Sequence, residues 1–114
     1  MSETAISRSI QMYLIHENVM VERVQSGTLK LAGNRWVHCA KPGTPDLWTS
    51  LFGGTFLEVK APKGKLSTEQ EFWHNRARER GVRVFVVRSQ KDVEQLVFMH
   101  RKWEQEWLKS SQSA

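Results

Sequence analysis

G-T-P-D-L-W-T-S-L-F-G-G-T-F-L-E-V-K, residues 43–60, sets two apolar segments on either side of a Gly53-Gly54 turn. Each segment carries one carboxylate, Asp46 on the first and Glu58 on the second, and Lys60 follows two residues later. Such a pattern predicts a β-hairpin, and its register decides whether the two acids meet. With a three-residue loop, Phe52-Gly53-Gly54, Leu51 faces Thr55, Trp48 faces Glu58 and Asp46 faces Lys60. Asp46, Glu58 and Lys60 then share one face, the acids as diagonal neighbours roughly 7–8 Å apart. A two-residue Gly53-Gly54 loop without a bulge would turn the two acids to opposite faces.

Two carboxylates converging from paired strands form an oxygen-only cation site, which suits Mg²⁺ or Mn²⁺ with waters completing the octahedron. The backbone carbonyl of Val59 is a further candidate ligand. A cation there polarises a phosphodiester and lowers the pKa of an attacking water, and a lysine on the same strand orients that water or neutralises developing charge. By itself E-V-K also fits an exposed cross-strand salt bridge between Asp46 and Lys60.

Working outward, residues 41–45 (K-P-G-T-P) form a loop, since two prolines and a glycine forbid regular structure. Residues 61–66 form a second loop bearing Lys63 and Lys65. Ser67-Thr68-Glu69-Gln70 reads as a capping box, with Ser67 as N-cap, for a helix that ends at Gly81 and aligns Gln70 with Trp73 and Ala77. Residues 82–87 are the most strand-like run, apolar enough for a central strand. Ser89 and Asp92 cap a last helix with an apolar stripe through Val93, Leu96, Val97, His100, Trp103 and Trp107. Trp103 and Trp107 fit either core or a dimer surface. A polar tail follows over 110–114, leaving 1–109 as a single domain.

Towards the N-terminus, Ile6, Ile10, Tyr13 and Leu14 recur at helical spacing, with Ser2 and Glu3 suiting the helix start. Glu3 heads the apolar stripe, either pointing into a site or standing as a surface acid favoured by the helix dipole. Val19, Val21 and Val24 mark a strand, residues 29–31 a short second one and residues 35–39 a third. This order of elements is an α/β or α+β sandwich.

Formal charge is +5 with pI near 9.7, which favours polyanionic partners. Lys41, Lys63 and Lys65 flank the hairpin acids, and Lys30 and Arg35 extend a phosphate-contacting track. Arg76, Arg78, Arg80, Arg83 and Arg88 read as a solvated helix face and strand ends. Cys39 is the only cysteine, which excludes an intramolecular disulfide and suits a reducing cytosol. No apolar run approaches transmembrane length and no stretch has a signal-peptide layout, so a cytoplasmic protein of a bacterial or phage-infected cell is expected. His16, His38, His74 and His100 lack metal-ligand spacing, which assigns them structural or surface roles.

G-T-P-D (residues 43–46), E-V-K (58–60), G-K-L-S-T-E-Q (64–70) and G-V-R-V-F-V-V-R-S (81–89) together resemble the VRR-NUC domain, the virus-type replication-repair branch of the PD-(D/E)xK nucleases. The resemblance spans about residues 3–97. It implies a restriction-endonuclease-like mixed sheet flanked by helices in the order α-β-β-β-α-β-α, as a stand-alone domain. It also implies that Asp46 and Glu58 bind the metal, that Lys60 is the catalytic lysine and that Gln70 touches the water or phosphate. Glu3 would approach the metal through water. The activity implied is Mg²⁺- or Mn²⁺-dependent endonucleolytic cleavage of branched or structured, Holliday-junction-like DNA by a homodimer. The alternative is a structure-selective DNA-binding module with the same fold and little or no cleavage.

Overall fold

Ser2 begins the fold: its hydroxyl accepts the Ala5 N–H at 3.2 Å and caps helix α1, Glu3–His16. A computed structural model describes residues 1–24, 28–33, 35–38 and 41–112. Ile6, Ile10 and Leu14 lie four residues apart on α1 and are buried. Strands β1 (Val21–Arg23), β2 (Thr28–Leu31), β3 (Arg35–His38), β4 (Leu47–Thr49) and β5 (Thr55–Val59) follow, then α2 (Thr68–Glu79), β6 (Arg83–Val87) and α3 (Gln90–Gln112). Cys39 and the turns expected at 25–27 and 34 fall outside the described residues, as do the side chains of Lys30, Trp36 and His38.

The fold is α/β. Its sheet is ordered β1-β4-β5-β6, antiparallel except for the parallel β5–β6 pair, which α2 connects. Setting aside the separate β2–β3 hairpin, the order is the expected α-β-β-β-α-β-α. Leu47, Leu57, Val59 and Val87 join Ile6, Ile10, Leu14, Val93 and Val97 in one core beneath α1 and α3. Phe56 and Glu58, on the other face of β5, meet Trp73 and His74 of α2. The sheet thus lies between two helical layers, as apolar faces on both sides require.

Four expectations need correction. Strand β6 is at the sheet's edge among the described residues, not its centre. Its apolar run is explained by burial of Val84 and Val87 under opposite helical layers, while Phe85 stays 36% exposed. Helix α3 continues through Ser110 to Gln112, beyond the expected tail boundary. Arg88 is no solvated strand end: its Nη1 donates to the carbonyls of Ala61 and Gly64 at 2.8 and 2.7 Å, clamping the 61–66 loop.

The fourth correction concerns the register. Leu47 faces Leu57, Trp48 faces Phe56 and Thr49 faces Thr55, so the loop is the five residues 50–54. The cause is a pair of buried threonines. Thr49 Oγ1 donates to the Thr55 carbonyl at 2.9 Å and accepts the Leu51 N–H, while Thr55 Oγ1 donates to the Leu51 carbonyl at 2.7 Å. These bonds let Leu51 fold inward as a fully buried plug in a 3₁₀ turn, Leu51–Gly53. Above it, the Phe52 N–H donates to His100 Nδ1 at 3.0 Å, giving that histidine a structural role. Trp103 is half-buried and stacks between His100 and Trp107, whereas Trp107 is 56% exposed. Thr49→Val should cost about 1–3 kcal/mol, because it leaves the Leu51 N–H and the Thr55 carbonyl short of a partner inside the protein. Chemical denaturation measures it.

Among the described residues, no helix is long and apolar enough to cross a membrane.

Candidate active site

The β4–β5 ladder stops at Leu47–Leu57, and Asp46 takes over where it ends. Its Oδ2 accepts the Val59 N–H at 2.8 Å, and its carbonyl accepts the Val24 N–H at 2.8 Å, so the residue is fixed from both neighbouring strands. Continuing the observed register by one step sets Asp46 opposite Glu58. Both acids therefore stand on one face, as the sequence required, but through a register shifted by two residues.

The preceding loop is held just as firmly. Thr44 donates through N–H and Oγ1 to the Lys41 carbonyl. Gly43, at φ 93°, packs so closely on the first turn of α2 that a Cβ there would lie 2.5 Å from the Glu69 carbonyl oxygen. Only glycine permits that approach.

Glu58 is 1% exposed. Its Oε1 lies 3.0 Å from His74 Nε2, and Gln70 Nε2 reaches its Oε2 at 3.5 Å, the long limit of a hydrogen bond. Gln70 is placed by the expected capping box: its Oε1 accepts the Ser67 N–H, and its own N–H donates to Ser67 Oγ. Burial, then the hydrogen bond and negative charge of Asp46, push the Glu58 carboxyl up to about 9, against the opposing charge of Lys60; Glu3 adds to the rise. Burial and the charges of Arg78 and Lys60 hold His74 below its ordinary value, so its ring is neutral. We assign its proton to Nε2, donating to Glu58, because Nδ1 is buried without a partner and an orphaned lone pair is tolerated better than an orphaned N–H.

Lys60 follows on the same strand, its N–H donating to the Val87 carbonyl at 3.0 Å. Its charge acts on both Glu58 and His74. Among the described residues no salt bridge joins Asp46 to Lys60.

Asp46 opens onto a cleft of about 480 Å³ bounded by α1 and β1, with Glu3, Arg23 and Val59 in its lining. Glu3 shares this cleft but does not close on the acid pair: among the described residues no three His, Cys, Asp or Glu side chains form a group able to hold an ion. The donor set is thus two carboxylates, with room for backbone oxygen, water and substrate. Two hard oxygen donors, one of them kept protonated by burial and then by its neighbour's hydrogen bond and charge, fit a small divalent cation, whose charge would offset both effects. Lys41, Lys63 and Lys65 are exposed on the two loops beside the pair, and Arg35 is exposed on β3.

The sequence reading gave His74 no place at the acid pair. The signal was its spacing: four residues after Gln70, it falls on the same helical face. Arg88 offered no comparable signal, since its partners are carbonyls of a loop distant in sequence.

The family model for the VRR-NUC domain matches residues 15–91, more than half of the chain. The matched span holds Asp46, Glu58, Lys60, Gln70 and His74 but not Glu3. No curated protein matches the chain. The chain therefore belongs to the VRR-NUC family, whose domain is of the nuclease type and acts on DNA.

Proposed function

We propose that this protein is a Mg²⁺- or Mn²⁺-dependent endonuclease that hydrolyses phosphodiester bonds of branched or structured DNA as a homodimer. The observation that carries the reading is the pairing of half-buried Asp46 with fully buried Glu58, tied to Val59, His74 and Gln70, with Lys60 acting on it. Asp46, Glu58 and the Val59 carbonyl would hold the cation, with Glu3 reaching it through water. When bound, the cation supplies Lewis-acid activation of the phosphodiester and of water.

The chain's own groups do the rest. His74 and the capping-box Gln70 fix the Glu58 oxygens, so the carboxylate is oriented before substrate arrives. Lys60 is suited to orient the attacking water and to offset charge gathering on the phosphate. Gln70 Nε2 can donate to that water or to a phosphate oxygen. Lys41, Lys63 and Lys65 contact phosphates on either side of the scissile bond, with Lys30 and Arg35 further along the track. Arg88 keeps the Lys63–Lys65 loop in place. For the homodimer, α3 offers Met99 and Trp107, each 56% exposed, on one side of the helix flanking half-buried Trp103.

A second reading, a structure-selective DNA-binding module with little or no cleavage, draws on one observation: the ligand set stops at two carboxylates. A four-way junction and a matched linear duplex, incubated with the protein and Mg²⁺, Mn²⁺ or EDTA, separate the two. Metal-dependent cleavage of the junction that fails in EDTA is expected. Tight binding with intact strands under every metal would establish the module instead.

A further inference from the structure

A second concave surface lies on the α2 side of the sheet, outside the cleft that holds Asp46. It is a groove of about 630 Å³ whose walls include Phe56, Phe72, Trp73, Lys41, Arg76 and Arg80. Phe72 is 61% exposed although it is a large aromatic. The Arg76 guanidinium lies over the Phe72 ring, 5.5 Å from its centroid. Trp73 meets Phe56 edge to face, with centroids 5.1 Å apart. Solvent-facing aromatic rings interleaved with cations are the two components of a surface for unpaired nucleotides: rings stack on the base, and cations take the phosphate.

We propose that this groove binds an unpaired nucleobase of the DNA substrate together with its phosphate. The base stacks on Phe72 and the exposed part of Trp73, and Lys41, Arg76 and Arg80 neutralise the backbone. Two further observations favour this occupant. Glu69 is the one acid in the lining against three cations, so an isologous second copy would bring like charges together, whereas a nucleic-acid strand is complementary. The groove also adjoins the acid pair. Phe56 stands two residues before Glu58 on the same face of β5, about 6–7 Å away, and the Trp73 ring lies 6.2 Å from the His74 ring that contacts Glu58. One strand can therefore pass from the groove towards Asp46 and Glu58. The inference rests on the reading of this chain as a DNA-acting nuclease, and specifies that unpaired nucleotides beside the cut site are read by stacking.

The test is fluorescence anisotropy in EDTA, where no cleavage occurs, with three probes: a blunt duplex, the same duplex with a single-stranded thymidine tail, and one with an abasic tail. Wild-type protein should bind the thymidine-tailed probe about tenfold more tightly than either other probe. Phe72→Ala, which removes an exposed ring and leaves the core intact, should abolish that preference and change blunt-duplex affinity less than twofold. Equal affinity of the wild type for thymidine and abasic tails, or an equal loss on all probes in Phe72→Ala, would overturn the proposal. So would a drop of Phe72→Ala from dimer to monomer in sedimentation, which would assign the groove to a second copy. The nuclease reading fails separately: a tail preference without metal-dependent cleavage keeps the groove and loses the enzyme, and cleavage without a tail preference does the reverse.

Discussion

Glu58→Gln is expected to abolish DNA cleavage while making the metal-free protein more stable. Glutamine preserves the shape of the side chain and can accept from His74, but it cannot ionise or bind a divalent cation strongly. Losing a metal-binding carboxylate removes several kcal/mol of transition-state stabilisation, a rate loss on the order of 10³ or more. The stability gain follows from linkage. Folding raises the Glu58 carboxyl from 4.5 to about 9, so between those values the folded protein holds a proton that the unfolded chain releases. Wild-type stability therefore falls as pH rises from about 4.5 towards 9, and the neutral amide escapes that loss. At pH 8 the variant should be more stable by about 1–3 kcal/mol, an advantage that disappears near pH 4. Thermal unfolding in EDTA at the two pH values measures it. A variant destabilised at pH 8 would mean that Glu58 is ionised and satisfied in the fold.

Gly43→Ala is the second large effect, and it acts at a distance from the carboxylates. The backbone there has φ 93°, and a Cβ would lie 2.5 Å from the Glu69 carbonyl oxygen and 2.8 Å from its carbon. Neither atom belongs to a flexible side-chain end, so the loop must move off the first turn of α2. Strain and displacement together should cost about 2–4 kcal/mol. Asp46 lies three residues downstream, and a shift of about 1 Å in a reacting group costs on the order of 10²-fold in rate. Denaturant unfolding and junction cleavage should thus both deteriorate. An unchanged cleavage rate would show that the 41–45 loop does not position Asp46.

The helices and the acid face were legible in the sequence because their signals are local. Ser2, Ser67 and Ser89 each announce a cap that the fold uses. The apolar spacing of Ile6, Ile10 and Leu14 marks the buried stripe of α1. The register of the hairpin was less legible. Counting from Gly53-Gly54 favours a three-residue loop, but hydroxyl bonds between Thr49, Leu51 and Thr55 determine it. A shift of two residues keeps the parity of a strand, so the acids share one face with either loop length. The edge position of β6 was hidden for a different reason. An apolar strand covered by helices on both faces reads like a central one, whatever its number of neighbours. Lone histidines carry no metal-ligand pattern, and the contact of His74 with Glu58 depends on how α2 packs across the sheet.

Asp46 and Glu58 are expected to form one divalent-cation site that carries a proton when no cation is bound. Isothermal titration of Mn²⁺ into the protein at pH 7, in two buffers of different ionisation enthalpy, tests it without DNA. The expected result is one ion per chain with about one proton released on binding, and loss of both in Glu58→Gln. Saturable binding that persists in Glu58→Gln, or no binding by the wild type, would contradict it.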